Sequence, residues 1–248
     1  MLKISLLTDL HIDVEGFLFH GKNARINFID VLHNAVSKNP NLVVLAGDLC
    51  NKAGNLDIYH WIKKHMDATG IPYLCIPGNH DDAILMKEVF YPEEVGSENE
   101  LYFIKEWNSH SLIFLDSSQS KMSDEQYIWL KSKVNESKEN VIIFMHHPPV
   151  LAGAKHMEPK FAFQQMDEFQ ALCAGFQDKV FTIFTGHYHL ERTIQNGNIT
   201  TFISPSTYLQ IHPDFEEFRL YHNRIGYREI TLGENGLVTY VSYLAEEE

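Results

Sequence analysis

Cysteine is scarce in this chain: three residues among 248, Cys50, Cys75 and Cys173, scattered and odd in number. Such usage argues against a disulfide framework and for a reducing, cytoplasmic compartment. Long apolar runs are missing. The longest, 42–46 and 141–145, fall far short of the roughly 20 residues that cross a bilayer. The N-terminal stretch meets an aspartate at position 9 and offers no cleavage site, so it does not read as a secretory signal. Basic residues are few, 20 against 33 acidic ones, for a net charge of −13. A surface this acidic repels long polyanions and anionic membranes, which excludes nucleic acid and membrane partners. No stretch resembles a linker, no internal repeat is visible, and no Gly-x-Gly-x-x-Gly follows any candidate strand. A dinucleotide-binding Rossmann sheet therefore lacks its chemistry here.

What remains is ordinary globular composition, 44% hydrophobic and 21% charged, which excludes wholesale disorder and a long coiled coil. The length allows a single domain over 1–248. A homo-oligomer is compatible with this composition. Through the first two thirds, short β-rich runs alternate with helical patterns. Strands are expected at 3–7, 42–46, 72–76, 141–145 and 180–184, and a hairpin at 102–115 around Asn108 and Ser109. Continuous apolar character marks such runs as strands of a sheet covered on both sides. Helices are expected at 25–37, 56–68, 83–89, 123–135 and 165–174. The first buries Ile26, Ile29, Leu32, Ala35 and Val36 along one face. The second is capped by Asn55, and Ser123 with Gln126 forms a capping box for the fourth. The section 193–248 changes to β-rich, with a primed turn at Asn196–Gly197 and strands at 218–221, 227–231 and 237–243, the last two joined by a turn over 233–236. The fold class is α/β, two sheets sandwiched between helices.

The informative pattern lies at the carboxyl end of each buried strand. Asp9 and His11 come after the first, Gly47 and Asp48 after the second, and Gly78, Asn79, His80 and Asp81 after the third. His146 and His147 come after the run at 141–145. Gly186, His187 and His189 come after the run at 180–184. Sites in α/β sheets form where the carboxyl ends of strands meet, and the glycines let the chain turn sharply there. Asp-x-His and His-x-His each present two side chains on one side of an extended segment. Taken singly, each motif is more often a turn or a loop than a site. Together, in this order and at strand ends, they are not a chance arrangement. Oxygen and nitrogen donors without sulfur suit manganese, iron, zinc or cobalt. Asp9, His11, Asp48, Asn79, His146, His187 and His189 make seven donors, too many for one ion that must keep an open position. Two ions sharing Asp48, through the two oxygens of its carboxylate, resolve the count. Such a pair clamps the attacking and leaving oxygens of a phosphoryl group and acidifies a bridging water to hydroxide near neutral pH.

This set of motifs resembles the calcineurin-like metallophosphoesterases over positions 4 to about 190. The resemblance implies an αββα sandwich of two mixed sheets flanked by helices, and two divalent or mixed-valence transition metals, manganese, iron or zinc. It implies Asp9, His11 and His189 on one metal and Asn79, His146 and His187 on the other. Asp48 bridges, and His80 assists the leaving group or steadies the phosphoryl oxygen. The stretch 18–28, the His146-His147-Pro-Pro run, and the tail with Pro205, Ser206, Thr207, Gln210, Phe218 and 226–228 are similar to the bacterial class III cyclic-nucleotide phosphodiesterases. The implied activity is hydrolysis of a small phosphodiester, such as a 3′,5′-cyclic nucleotide. A glycerophosphodiesterase, phosphomonoesterase or pyrophosphatase of the same fold is the alternative. The acidic charge argues against a DNA exonuclease, and the complete donor set against a scaffold without activity.

Substrate contacts are expected from Asn79 and His80, with His20 and His156 as further candidates. His156 lies in the segment 151–163, which is long for a structureless connection and suited to a lid. His147 reads as a supporting residue. Tyr188, Phe161 and Phe163 could stack on a base, although core packing is the simpler expectation for each. Cys50 reads as a packed thiol.

Overall fold

The computed structural model describes residues 1–91, 93, 95–107, 110–137, 140–234 and 236–244. The strands are β1 (Leu2–Leu7), β2 (Leu42–Ala46), β3 (Tyr73–Ile76), β4 (Phe103–Trp107), β5 (His110–Phe114), β6 (Asn140–Phe144), β7 (Val180–Thr185), β8 (Arg192–Asn196), β9 (Ile199–Ile203), β10 (Gly226–Gly233) and β11 (Gly236–Tyr243). The helices are α1 (Ala24–Ser37), α2 (Leu56–Ala68), α3 (Ala83–Phe90), α4 (Asp124–Glu136), α5 (Glu158–Phe161) and α6 (Met166–Ala174). Among the described residues, no helix is long and apolar enough to cross a membrane.

Two mixed sheets result, ordered β11-β10-β1-β2-β3 and β4-β5-β6-β7-β9-β8. Strands β1, β2 and β3 run parallel, as do β5, β6, β7 and β9. The two-residue period of a strand divides the core into layers. Leu2, Ile4, Leu6, Leu42, Val44, Ala46 and Ile76 of the first sheet meet Leu112, Phe114, Phe144 and Phe184 of the second. On the outer faces, Val43 and Leu45 pack with residues of α1 and α2, while Val141, Ile143 and Ile183 pack with residues of α4 and α6. This is the expected αββα sandwich. On the inner face of the second sheet, Phe103, Phe114, Phe144, Phe184 and Phe202 stack in a row across five neighbouring strands. Their centroids are 4.7, 5.0, 5.3 and 5.3 Å apart, with planes within 23° of parallel. The guanidinium of Arg228 sits 5.4 Å over the last ring.

Several local expectations need correction. The buried stripe of α1 is Ala24, Phe28, Val31, Leu32 and Ala35, and Ile26 is exposed. The helix is turned so that Phe28, its largest apolar side chain, enters the core. The capping box of α4 is only half made. Ser123 Oγ accepts from Gln126 N at 3.1 Å, but Glu100 takes the Ser123 N–H, because the Gln126 side chain is drawn to the backbone of Asp116. Residues 218–221 are not a strand. Their backbone makes isolated bonds, Tyr221 N to Gln210 O at 2.9 Å and Arg219 O from His212 N at 2.8 Å, while Phe218 and Tyr221 face solvent. The segment 151–163 contains α5 and is fastened. Lys155 N donates to Pro213 O at 2.8 Å and Gly153 N to Glu158 Oε1 at 2.9 Å. The turn at Asn108 and Ser109 lies outside the described residues, as does Asn235. In the β8–β9 hairpin Asn196 still pairs with Ile199, so the loop is Gly197–Asn198, one residue beyond the expected Asn196–Gly197, and Gly197 has the positive φ (+57°) that a primed turn requires. The strands of 193–248 are divided between the sheets, β8 and β9 joining the second and β10–β11 the first.

Candidate metal centre

The motif residues lie at one end of the sandwich, where inner-face strand positions run out into loops. The first sheet supplies Asp9 and His11 after β1, Asp48 after β2, and Asn79 and His80 after β3. The second supplies His146 after β6, and His187 and His189 after β7. Six of the seven expected donors are buried: Asp9, His11, Asp48, His146, His187 and His189. Asn79 is the exception and is exposed. Its loop touches the centre through its neighbours, with His80 N donating to Asp48 Oδ1 at 2.9 Å.

The backbone reaches this geometry by a route other than the expected extended one. Asp9, His11, Asp48, His187 and His189 all have positive φ, between 48° and 68°. Left-handed backbone is costly for residues with a Cβ and concentrates at functional sites. The motif glycines also do more than turn the chain. Only Gly47, at φ +94°, has left-handed backbone. At Gly186 a methyl group would run into the Thr8 hydroxyl and the Asp9 carboxylate, and at Gly78 into the Asp48 carboxylate. The two halves of the site touch with no room for a side chain.

Ligand atoms converge in three clusters, Asp9–His11–His189, His11–Asp48–His80 and Asp48–His146–His187, each within 4.8 Å. His11 Nε2 lies 2.9 Å from His189 Nε2, and His189 Nε2 lies 3.2 Å from Asp9 Oδ1. Asp48 Oδ2 lies 3.3 Å from His146 Nε2 and 3.7 Å from His11 Nε2. Donors held at 2.0–2.2 Å around a tetrahedral ion are themselves about 3.3–3.6 Å apart. Asp48 meets His146 and His11 through Oδ2, while Oδ1 accepts from the His80 amide.

Each imidazole of the second sheet is aimed by a backbone carbonyl. Nδ1 of His146 meets Ala46 O at 2.8 Å, Nδ1 of His189 meets Leu209 O at 3.0 Å, and Nε2 of His187 meets Phe161 O at 2.8 Å. The opposite nitrogens of His146 and His187, with Nδ1 of His80, are buried without a hydrogen-bond partner. A ring nitrogen buried this way costs free energy unless a further group meets it, and a carbonyl behind the ring is the usual support of a metal-binding histidine. The residues therefore fit divalent metal ions. The Asp9 carboxylate is held by Thr8 Oγ1 at 2.9 Å and His187 N at 3.0 Å, and Ser206 Oγ donates to Asp9 O at 2.8 Å.

The electrostatics match. Burial alone would raise the Asp9 pKa, yet the imidazoles of His189 and His146 outweigh it and hold it at about 2. Asp48 is held well below the carboxylate range against the same burial penalty, chiefly by His146. Burial pushes His146 down, but Asp48 and Asp9 lift it to about 9. Burial and neighbouring imidazoles lower His11 to about 3 and His187 to about 4. Two buried carboxylates thus stay charged against imidazoles, a site primed for cations.

The other expected residues fall in different places. His147 is buried, 3.0 Å from Ser117 Oγ and 4.1 Å between centroids from His187, and so supports that ring. Tyr188 and Phe163 are core residues, and Phe161 is exposed. Burial raises the Cys50 thiol to about 12, and all three cysteines are free and buried. His20 is exposed, and the His156 ring nitrogen Nδ1 lies 2.8 Å from Glu216 O. Neither enters the clusters.

The calcineurin-like phosphoesterase family model matches residues 2–191. The chain belongs to that family. A probable cyclic nucleotide phosphodiesterase of Fibrobacter succinogenes is 33% identical over 243 residues, covering 98% of this chain and 94% of the relative. A probable glycerophosphodiester phosphodiesterase of Arcobacter nitrofigilis is 31% identical over 258 residues, covering 98% and 93%. A dimetal phosphatase from Danio rerio shares the fold at 14% identity, with a TM-score of 0.71 and coverage of 97% and 95%. For this phosphoesterase, sequence reasoning missed the backbone acceptors Ala46, Phe161 and Leu209. Every residue carries a carbonyl, so no letter of the sequence marks them. Ser206 was legible only as part of the tail that resembles the cyclic-nucleotide enzymes.

Proposed function

We propose that residues 1–248 form one catalytic domain that hydrolyses a small phosphodiester, a 3′,5′-cyclic nucleotide, at a binuclear metal centre. The observation that carries this reading is Asp48 Oδ2, which stands between His11 Nε2 and His146 Nε2 and so joins the two donor clusters. Asp9, His11 and His189 would hold one ion and Asn79, His146 and His187 the other, with manganese, iron or zinc matching the donors. Bound divalent ions supply charge to offset the phosphoryl oxygens and acidify water to a nucleophile near neutral pH.

The chain's own residues do the rest. Asp9 and Asp48 keep the site anionic enough to hold cations inside a low-dielectric pocket. Hydrolysis adds the oxygen of water to phosphorus and breaks one ester P–O bond, and the departing alkoxide takes a proton. His80 stands beside the centre, its ring 5.1 Å from that of His11 and its Nδ1 unpaired. It is the residue assigned to donate that proton or a hydrogen bond to the phosphoryl oxygen. The five motifs contain no lysine or arginine, which favours a singly charged diester over a doubly charged monoester.

The test is a panel with protein loaded in turn with manganese, iron and zinc. It compares 3′,5′-cyclic nucleotides, a glycerophosphodiester, bis(p-nitrophenyl) phosphate and p-nitrophenyl phosphate. Diesters should lead in kcat/KM. A tenfold preference for the monoester would overturn the reading. The similarity to the Arcobacter protein supports a second reading, glycerophosphodiester hydrolysis, which the same panel separates from the first.

A further inference from the structure

Beyond the metal centre, five rings from three connecting segments form one arc. Phe19 and His20 lie 4.3 Å apart, His20 and Phe218 6.2 Å, Phe218 and His156 5.8 Å, and His156 and Phe161 6.3 Å between centroids. Phe19, Phe218 and Phe161 are 39, 41 and 45% exposed. Three half-bare phenyl rings in a row are apolar surface that folding has left for something else to cover. The arc is set in advance. Lys155 N donates to Pro213 O at 2.8 Å, the His156 ring meets Glu216 O at 2.8 Å, and Lys22 Nζ reaches Asn223 O at 3.4 Å, so the loops are tied to one another. It is also continuous with the centre. The carbonyl of Phe161 accepts from His187 Nε2, and the carbonyl of Leu209, in the loop that leads to Phe218, accepts from His189 Nδ1.

We infer that this arc is a stacking surface for the purine base of a nucleotide diester whose phosphate lies at the metal centre. The inference rests on the phosphodiesterase reading and names what selects its substrate. Phenyl and imidazole faces offer stacking to any flat heterocycle, with little reading of its edges. Five side chains are a fraction of the 20–30 residues per side that a stable protein interface uses, so a second copy of the chain is the poorer occupant. Ribose joins base to phosphate within one small molecule, and the arc is attached to His187 through the backbone of Phe161. A glycerol or choline ester has no flat face to lay there. Stacking surfaces discriminate by π area, so purines should bind better than pyrimidines, and adenine and guanine nearly alike.

The test is equilibrium binding by calorimetry of adenosine 5′-monophosphate and ribose 5-phosphate, which share a phosphate and differ in the base. The metal-loaded protein should favour the nucleotide by roughly tenfold. Phe218→Ala should erase most of that advantage, His20→Ala part of it, and Phe218→Trp should keep it. In parallel, the ratio of kcat/KM for cyclic AMP to that for glycerophosphoethanolamine should fall by a similar factor in Phe218→Ala. Equal binding of the two phosphates, or an advantage unchanged in Phe218→Ala, overturns the inference. So does a dimer that Phe218→Ala dissolves, which would assign the rings to a second copy. Failure of the wild-type protein to cleave any diester would sink the phosphodiesterase reading instead, while the binding comparison still decides the arc.

Discussion

The two sheets contribute unequally to the centre. The first supplies both carboxylates, Asp9 and Asp48, together with His11 and His80. The second supplies only imidazoles, His146, His187 and His189. Both carboxylates therefore come from one side of the sandwich, and imidazoles aimed by backbone carbonyls from the other. The pairs Asp9–His189 and Asp48–His146 cross the gap. Asp116 sharpens the contrast. It lies just after β5 on the second sheet and is as buried as Asp48, at 2% exposure, yet burial raises its carboxyl to about 6. Its partners are amides, Leu101 N at 2.8 Å and Ser118 N at 2.9 Å. Buried aspartates shift in opposite directions according to whether imidazoles face them, so the low pKa values belong to the meeting of the sheets and not to burial.

The sharpest way to break this comparison is substitution on each side. Asp48→Ala should release both metals and reduce diester hydrolysis to background, while His146→Ala should release one and keep the ion held by Asp9, His11 and His189. Elemental analysis after loading checks both, and equal losses would refute the asymmetry. Next in size is His80→Ala. Its two metals should stay and kcat should fall by roughly 10²–10⁴-fold, the range for a lost general acid. The defect should shrink with p-nitrophenolate as leaving group. Loss of a metal would make His80 a ligand, which its place in the His11–Asp48–His80 cluster permits. A uniform loss across leaving groups would give it the phosphoryl oxygen.

A third substitution acts on the contact itself. Gly186→Ala on the second sheet drives a methyl into Thr8 and Asp9 on the first. It should cost about 1–3 kcal/mol in denaturant unfolding, the usual penalty of overpacking, and weaken the metal bound by Asp9. The smallest effect concerns pH and leaves activity untouched. The folded pKa of Asp116 is raised above its ordinary value of 3.8 to about 6. Its contribution to stability is thus complete below about pH 3.8 and lost as the pH rises through 6. Asp116→Asn should flatten the thermal unfolding profile between pH 4 and 6, and a variant profile as steep as the wild type would refute the assignment.

Much of this was readable from the chain because each buried strand is a short apolar run that stops at a polar motif. Leu42–Ala46 followed by Gly47 and Asp48 states both the strand and the donor. Other parts were hidden for physical reasons. The left-handed backbone of Asp9, His11, His187 and His189 runs against the local preference of residues with a Cβ, so no local propensity encodes it. The buried face of α1 leaves Ile26 out because two apolar stripes compete on that helix and only the partner surface chooses between them. Residues 218–221 carry strand-like composition, yet their rings are turned outward. The arc they join brings together positions 19, 156, 161 and 218, which nothing in the linear order relates.

The phenylalanine row has a mechanical meaning for the centre. Phe144 and Phe184 stand two and three residues before His146 and His187, and their rings lie against the aliphatic side chains of the first sheet. Aromatic rings in a close-packed interior are nearly incompressible spacers, and five in register act as a gauge that fixes the separation of the two sheets along most of their width. A pair of ions gripped from opposite walls tolerates little play, so the dimension that decides whether both can seat together is machined several residues below them, in hydrocarbon.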